Sequence, residues 1–501
     1  MNKRTAIIDI GSNSARLVIF ETTSRYGFHL ICEQKSKVRI GEGAYEKQGY
    51  LQPIGIKRAF LTLKSFLYTI NKYQTKTIKC VATSALRDAP NAKQFTLWIK
   101  EELGLDIQVI DGKKEAYYGA LSAINLLPIK EAITIDIGGG SSDMALIKDK
   151  KIVDTYSLNI GTVRLKELFF DKYDIFTANK KASLYISEEL KKLPKIFISS
   201  LAIGIGGTAR TLSKGIMKKN DYPLEKLHAF SYLIKENDHY LRQISLVESS
   251  ELSQFKLKKN RYDTIREGTL IFCEILKHIE VKKVMTSSTG VREGVFLDKF
   301  LKEKSFPFSI NPSMVSLIDR FKPIVNIEKK KKVKLQIASA LYRILQPSIK
   351  DDKRYIKELF YALKLSNIGK TLTIYNAHQH AFYLASQELN YGFSHQEIIL
   401  ISLLLRMHGK ELIHKKLFKK YALLLPKKQN VLWLSFIYTL SVFIHEASNS
   451  AKINFEFKDH TLFIFSNKSL YLAKEAIELL ETPMDFEIVI YDENDLPNFT
   501  F

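Results

Sequence analysis

Ile133-Thr134-Ile135-Asp136-Ile137-Gly138-Gly139-Gly140-Ser141-Ser142-Asp143 runs from an apolar strand-like segment into a carboxylate, three glycines, two hydroxyls and a second carboxylate. Glycine turns tightly and lets the backbone approach a ligand with no Cβ in the way. Consecutive N–H groups in such a turn form a concavity that binds anions. An aspartate at the strand end suits a hard divalent cation, which prefers oxygen ligands. A surface hairpin has the same composition, so this stretch alone does not decide. A second one does. Asp9-Ile10-Gly11-Ser12-Asn13-Ser14 follows the apolar Thr5–Ile8 and precedes Arg16–Phe20, which reads as a return strand. Both stretches put Asp-Ile-Gly on the turn of a predicted β-hairpin. This loose internal duplication implies two related half-units whose phosphate loops face each other across a cleft.

The remainder of the 501 residues sets bounds on class and partners. The length has room for about two to four domains, and a hydrophobic fraction of 46% is that of a globular protein. The N-terminus lacks the long apolar run of a secretory signal. The uncharged stretch Val431–Ile444 contains Ser435, Thr439 and Ser441 and is too short for a membrane span, so it reads as a buried helix. Three widely spaced cysteines, Cys32, Cys80 and Cys273, argue against a disulfide framework and fit a reducing, cytoplasmic setting. Lys+Arg 76 against Asp+Glu 53 gives a net charge of +23, which attracts polyanions. A lysine-rich solvated surface accounts for the same number.

Further candidate residues follow in order along the chain. Ile78–Ala82 reads as a strand leading to Arg87, at the strand end where α/β proteins place ligand contacts. Glu115 falls in the first turn of a predicted helix that begins near Gly112. There it either complements the helix dipole or serves as a general base beside the phosphate loops. Leu201–Arg210 repeats strand, glycine turn, hydroxyl and helix, making Gly206 and Gly207 part of a third candidate phosphate loop. Ser305–Pro312 reads as a linker. Residues 313–449 have a helical pattern with basic runs at Lys329–Lys332 with Lys334, at Lys415, Lys416, Lys419 and Lys420, and at Lys427 with Lys428. The last fifty residues return to strand-like alternation.

Six motifs in this order resemble the exopolyphosphatase/guanosine pentaphosphate phosphatase (Ppx/GppA) family over about residues 5–300. They are Asp9–Ser14, Ala82–Arg87, Gly112–Ala116, Asp136–Ser141, Gly204–Thr208 and Ser288–Gly294. The resemblance implies an α/β fold of the actin/Hsp70/sugar-kinase superfold. Two ribonuclease-H-like domains, 1–124 and 125–304, would flank a cleft, followed by a mostly helical, HD-like region over 305–501 with some terminal strands. It implies hydrolysis of a terminal phosphoanhydride, in inorganic polyphosphate or at the 5′ end of pppGpp. Glu115 would be the general base. Asn13, Ser14, Gly138, Gly139, Ser141, Gly206 and Gly207 would hold phosphate, with Arg87 and Arg261 neutralising it. Asp136, Asp143 and Glu115 would hold Mg²⁺, with Mn²⁺ as the alternative ion. Asp143 stands where many members carry glutamate, and Glu267 where a proline is common. Polyphosphate or pppGpp is the expected partner, with no membrane, no specific nucleic acid, and a homodimer as in many members.

In the helical region Ser366-Asn367 occupies the place of the family's metal-binding His-Asp pair, and neither is a good transition-metal ligand. His378, His380 and His408 remain, scattered. The expectation is a degenerate HD fold without metal chemistry, whose basic runs line a groove for a long polyanion. Two other functions stay open on the sequence: a small-molecule kinase of the same superfold, and a non-catalytic sensor of polyphosphate or an alarmone.

Overall fold

The computed structural model describes residues 3–44, 47–325, 331–345, 354–407 and 411–493. It divides into two compact units, Met1–Ser316 and Leu317–Phe501. Of the residues singled out above, Lys329, Lys330, the side chain of Lys331 and His408 lie outside the described residues.

The first unit holds two sheets. The first is built from β1 (Arg4–Ile10), β2 (Ala15–Thr22), β3 (Phe28–Ser36), β4 (Thr77–Ala82) and β5 (Ile107–Val109), in the order β3-β2-β1-β4-β5. The second contains β6 (Ala132–Ile137), β7 (Ser142–Lys148), β8 (Lys151–Leu158), β9 (Leu201–Ile205), β10 (Ser231–Leu233) and β11 (Lys283–Thr286). Its order is β10-β11-β9-β6-β7-β8. Apart from the added edge strand β10, the second sheet repeats the first. In each, two antiparallel pairings are followed by two parallel ones. The duplication holds to the residue. Asp9 pairs with Arg16 and Ile10 with Ala15, while Asp136 pairs with Asp143 and Ile137 with Ser142. Each hairpin closes through the same bond, Gly11 N to Ser14 O at 3.1 Å and Gly138 N to Ser141 O at 2.9 Å.

The helices of this unit are α1 (Pro53–Lys72), α2 (Ser84–Arg87), α3 (Ala92–Leu103), α4 (Gly112–Leu126), α5 (Thr162–Leu165), α6 (Ile175–Leu190), α7 (Gly206–Lys219), α8 (Ile234–Leu246), α9 (Ile265–His278) and α10 (Val291–Phe300). Helical spacing puts Ala59, Leu63, Phe66 and Ile70 of α1 on one face, and they join the core of the first sheet. Two helices cross over. Although α4 follows the first sheet, its Ala116, Ala120, Ala123 and Ile124 pack with Ala145, Ile203 and Ile205 of the second. Although α10 follows the second sheet, its Phe296 stacks on Phe20 of the first, with ring centroids 4.4 Å apart. The two helices meet where a Cβ at Gly294 would lie 2.1 Å from the Tyr118 carbonyl oxygen. The boundary expected between 124 and 125 therefore falls inside α4, a helix packed on the second sheet.

The second unit is helical around Lys428–Ala447, whose Trp433, Phe436 and Tyr438 are wholly buried. The uncharged stretch read as a buried helix lies within it. A three-stranded sheet follows, β12 (Ile453–Lys458), β13 (Thr461–Ser466) and β14 (Glu487–Tyr491), in that order. The strand-like alternation of this region is interrupted by a helix, Tyr471–Glu478, which links the parallel β13 and β14. Lys415, Lys416, Lys419 and Lys420 are exposed on the helix Lys415–Tyr421, and Lys427 and Lys428 are exposed beyond it. Lys334 departs from the expectation that this basic run lines a groove for a polyanion. It is buried, and its Nζ donates to Ser366 Oγ at 2.8 Å. A lysine ammonium thus stands beside the residues that replace the His-Asp pair. Among the described residues, no helix is long and apolar enough to cross a membrane.

Candidate active site

Parallel strands of both sheets end at one cavity of about 200 Å³ in the first unit. Carboxyl ends of parallel strands are where α/β folds bind ligands. The two hairpin turns supply Asn13, Ser14, Gly138, Gly139 and Ser141 to its lining, as the paired loops predict. The first turn is pinned from outside, because Arg39 N donates to Asn13 O at 3.1 Å and Gly41 N to Ser12 O at 3.3 Å. The turns nearly touch: a Cβ on Gly139 would come within 3.3 Å of Ser12 Cβ.

Glu115 enters the cavity from the first turn of α4. That turn starts where Asp111 caps the helix by accepting from Lys114 N at 2.7 Å. Burial, then the charges of Asp143 and Asp136, push the Glu115 carboxyl well above the usual carboxylate range, with Arg87 opposing. Arg87 is not in the lining. It reaches Glu115 Oε2 at 3.4 Å and Ser141 Oγ at 3.3 Å, so it holds the carboxylate and the phosphate-loop hydroxyl in register.

Asp136 lines the cavity, and burial raises its pKa to about 6 against the opposing charge of Arg210. Asp143, its partner across the hairpin, is buried one layer back. Its Oδ1 accepts from Ser157 Oγ and its Oδ2 from Ser141 Oγ at 3.2 Å. Burial raises Asp143 to about 7 while the Ser157 bond lowers it. Gly112 makes room for this pair, since a Cβ there would meet Ser157 Oγ at 2.2 Å and Asp143 Oδ1 at 2.9 Å. The structure therefore ties Asp143 to Ser141 through oxygens that already have hydrogen-bond donors.

Gly206 and Gly207 line the wall where β9 meets α7, and both leave clearance for a neighbouring side chain. Gly206 has φ +79°, and a Cβ there would sit 2.1 Å from Asp136 Oδ1. A Cβ on Gly207 would sit 2.2 Å from Arg261 Nη2. The third glycine turn thus admits the Asp136 carboxylate and the Arg261 guanidinium to the cavity.

The sequence reading missed most of the positive wall. Arg16, Lys35, Lys37, Arg210 and Arg292 line the cavity beside Arg261. Strand pairing assembles part of it, as Asp9, Arg16 and Lys35 form one row across β1, β2 and β3. Burial and then Arg16 lower Lys35 to about 8, and burial and then Arg292 lower Arg210 to about 10. Cations crowded in this way are relieved by an anion of several charges. Motif spacing could not find Lys35 and Lys37, which lie outside every quoted motif. Alternation along β3, with every second residue on one face, was the available signal.

Among the described residues, no three His, Cys, Asp or Glu side chains are arranged to hold a metal by themselves. The donor set still fits a hard divalent cation. Asp136 presents carboxylate oxygen to the cavity through the gap left by Gly206, and the mutual repulsion of Glu115, Asp136 and Asp143 is what a cation relieves.

Paired glycine turns, a carboxylate on a helix N-terminus and a wall of cations around one small cavity make a site suited to a phosphate-bearing ligand. The sequence model of the Ppx/GppA phosphatase family matches residues 18–303, and that of its domain III matches residues 312–483. The chain belongs to the Ppx/GppA phosphatase family. It is 32% identical over 308 residues to a bifunctional 3-dehydroquinate synthase/phosphatase of Fusobacterium nucleatum, spanning 58% of this chain and 46% of that protein. It is 25% identical over 414 residues to a guanosine-5′-triphosphate,3′-diphosphate pyrophosphatase of Pseudoalteromonas translucida, covering 81% of each. Among solved structures, the Aquifex aeolicus family member matches at 30% identity and a TM-score of 0.53, covering 60% of this chain and 99% of that one. An exopolyphosphatase from Cytophaga hutchinsonii shares the fold at 24% identity and a TM-score of 0.56, covering 60% and 98%.

Proposed function

We propose that this chain removes the terminal phosphate of inorganic polyphosphate, the 5′ γ-phosphate of pppGpp to leave ppGpp, or both, with water activated by Glu115. The observation that carries this reading is that Glu115 lines the same cation-walled cavity as the two paired glycine turns. Phosphoryl transfer needs in-line positioning and stabilisation of charge on the equatorial oxygens more than covalent help. N–H groups of the turns and the hydroxyls of Ser14 and Ser141 cradle the terminal phosphoryl group. Arg261, with Arg16 and Arg292, neutralises the charge passing to the leaving oxygen. Glu115 takes the proton of the attacking water, and Arg87 fixes its orientation. Asp136, with Asp143 and Glu115, would hold Mg²⁺ or Mn²⁺, which neutralises phosphate charge and the crowded carboxylates. Asp143 acts largely through Ser141. The division into two phosphate-binding domains and a C-terminal region, a cytoplasmic setting and a homodimer belong to the same proposal.

A phosphate-release assay with long-chain polyphosphate and pppGpp side by side tests it. Glu115→Gln should lower turnover by about 10²–10⁴-fold, the contribution of a positioned base, with a melting temperature no lower than that of the wild type, because the substitution removes a buried carboxylate crowded by Asp143 and Asp136. Near-normal turnover in that variant would remove Glu115 as the base. A chain that binds both substrates and releases no phosphate would instead be a sensor.

A further inference from the structure

The β14 edge of the third sheet, in the second unit, borders a groove of about 630 Å³. Ile477, in the helix Tyr471–Glu478, and Leu480 just beyond it line one side, and residues 486–490 line the other. Parallel pairing puts Ile488 beside Leu462 and Ile490 beside Ile464. Leu462 and Ile464 are wholly buried, whereas Ile488 and Ile490 are only half-buried. The apolar face of this sheet therefore runs out to β14 and ends there incompletely covered. Among the described residues, no strand pairs with the outer side of β14, so the backbone groups on that side have no sheet partner. The other sheet edges are protected in the usual ways. β5 and β10 are three residues long. β3 and β8 carry lysine and acid and lie against a register shift, and β12 turns Asn454, Glu456 and Lys458 to solvent. β14, Glu487-Ile488-Val489-Ile490-Tyr491, is regular in register and has neither lysine nor proline.

The charge at this edge opposes that of the chain. Residues 475–493 hold seven Asp and Glu and no Lys, Arg or His, in a chain of net charge +23. Glu478 and Glu487 line the groove and are exposed. Lys474, which also lines it, lies 3.6 Å from the buried Asp492 carboxylate. An acidic rim repels phosphate chains and attracts cations. We propose that β14 and the groove beside it dock an extended, basic segment of a partner protein, which adds to the sheet as a new edge strand. Main-chain hydrogen bonds to the open edge supply affinity, and side chains at alternate positions supply specificity. Those on one face of the added strand are apolar and complete the cover of Ile488 and Ile490. Those on the other face carry Lys or Arg beside Glu487. A second copy of this chain is a poorer occupant, because its own β14 would bring one acidic stretch against another.

The test is hydrogen exchange of the full chain, read at residues 487–491 while titrating short synthetic peptides of alternating Val-Lys or alternating Val-Glu. The Val-Lys peptide should slow exchange there, and the Val-Glu peptide should not. The net charge of the chain favours the opposite order, so this preference reports the groove and not general attraction. Glu478→Lys combined with Glu487→Lys, both at exposed positions, should raise the Val-Lys concentration needed for half protection about tenfold, as two exposed ion pairs turned repulsive predict. The same variant should let the Val-Glu peptide protect instead. N-methylation separates strand addition from charge alone. Methylating either the Val or the Lys amides should abolish protection, and methylating the other set should be tolerated. Absence of protection by the Val-Lys peptide overturns the proposal, as does a midpoint that neither the double substitution nor either methylation moves. Protection present without peptide and lost on dilution would assign the groove to a second copy, and overturns it too.

Discussion

Glu267 is wholly buried in the first turn of α9, and neither carboxylate oxygen has a hydrogen-bond partner of good geometry in another described residue. The Arg266 guanidinium comes no closer than 3.9 Å. Burial pushes its pKa to about 7, against the pull of its own backbone N–H and then of the Arg266 and Lys166 charges. The folded-state pKa is raised, so the stabilising form is the protonated one. Its contribution is fully present below the unfolded value and is lost as pH rises through about 7. A shift of this size corresponds to about 3 kcal/mol between the two ends of that window. Glu267→Gln keeps the shape and removes the titration. The expected result is a variant close to wild type near pH 4.5 and more stable by about 1–3 kcal/mol near pH 8, read as the difference between their denaturant midpoints at each pH. Equal midpoints at both pH values would mean that Glu267 gains a partner when ionised. The sequence marked position 267 as unusual because a proline is common there in relatives. It could not show that the acid is buried without a partner, since that depends on α9 packing its first turn into the core.

At the scale of elements, what the sequence showed clearly was local. The two Asp-Ile-Gly hairpins, the strand–glycine–helix turn at Gly206 and the position of Glu115 in a helical first turn all follow from short-range chemistry. What stayed hidden depends on pairing between distant segments. The half-buried edge strand β8 supplies Ser157 to Asp143, and nothing near residue 157 resembles a motif. The crossing of α4 and α10 is hidden for the same reason, although both helices begin in quoted motifs. This crossing predicts a coupling between packing and chemistry. A methyl group at Gly294 would strike the Tyr118 carbonyl, which is backbone and cannot rotate away. Gly294→Ala should therefore push α4 aside, lowering stability by about 1–3 kcal/mol as overpacked sites do. Because α4 carries Glu115, kcat should fall more than KM changes. Thermal denaturation and steady-state phosphate release measure both, and a stability loss with unchanged kcat would show that α4 absorbs the shift away from its N-terminus.

Across the whole molecule, the charge of +23 reads differently once it is placed. Part of it is the cavity wall in the first unit, where Arg16, Lys35, Lys37, Arg210, Arg261 and Arg292 face a ligand. Another part is spent internally, as at Lys334 beside Ser366, where a lysine fills ground that the sequence suggested was merely vacated by a metal pair. A third part is solvated: Lys415, Lys416, Lys419 and Lys420 are exposed on one short helix of the second unit, with Lys427 and Lys428 just beyond it. This exposed cluster is available to a polyanion far longer than the cavity. Exposed charge acts through screened attraction, which weakens within about 8 Å at physiological ionic strength. Changing Lys415, Lys416, Lys419 and Lys420 together to Gln should therefore raise KM for long-chain polyphosphate several-fold at low salt and flatten its rise with added salt. The ratio of that KM to the KM for the much shorter tripolyphosphate isolates the effect from any general loss of fold or activity. If the ratio and the salt dependence are those of the wild type, these four lysines are a solvated surface with no part in binding the phosphate chain.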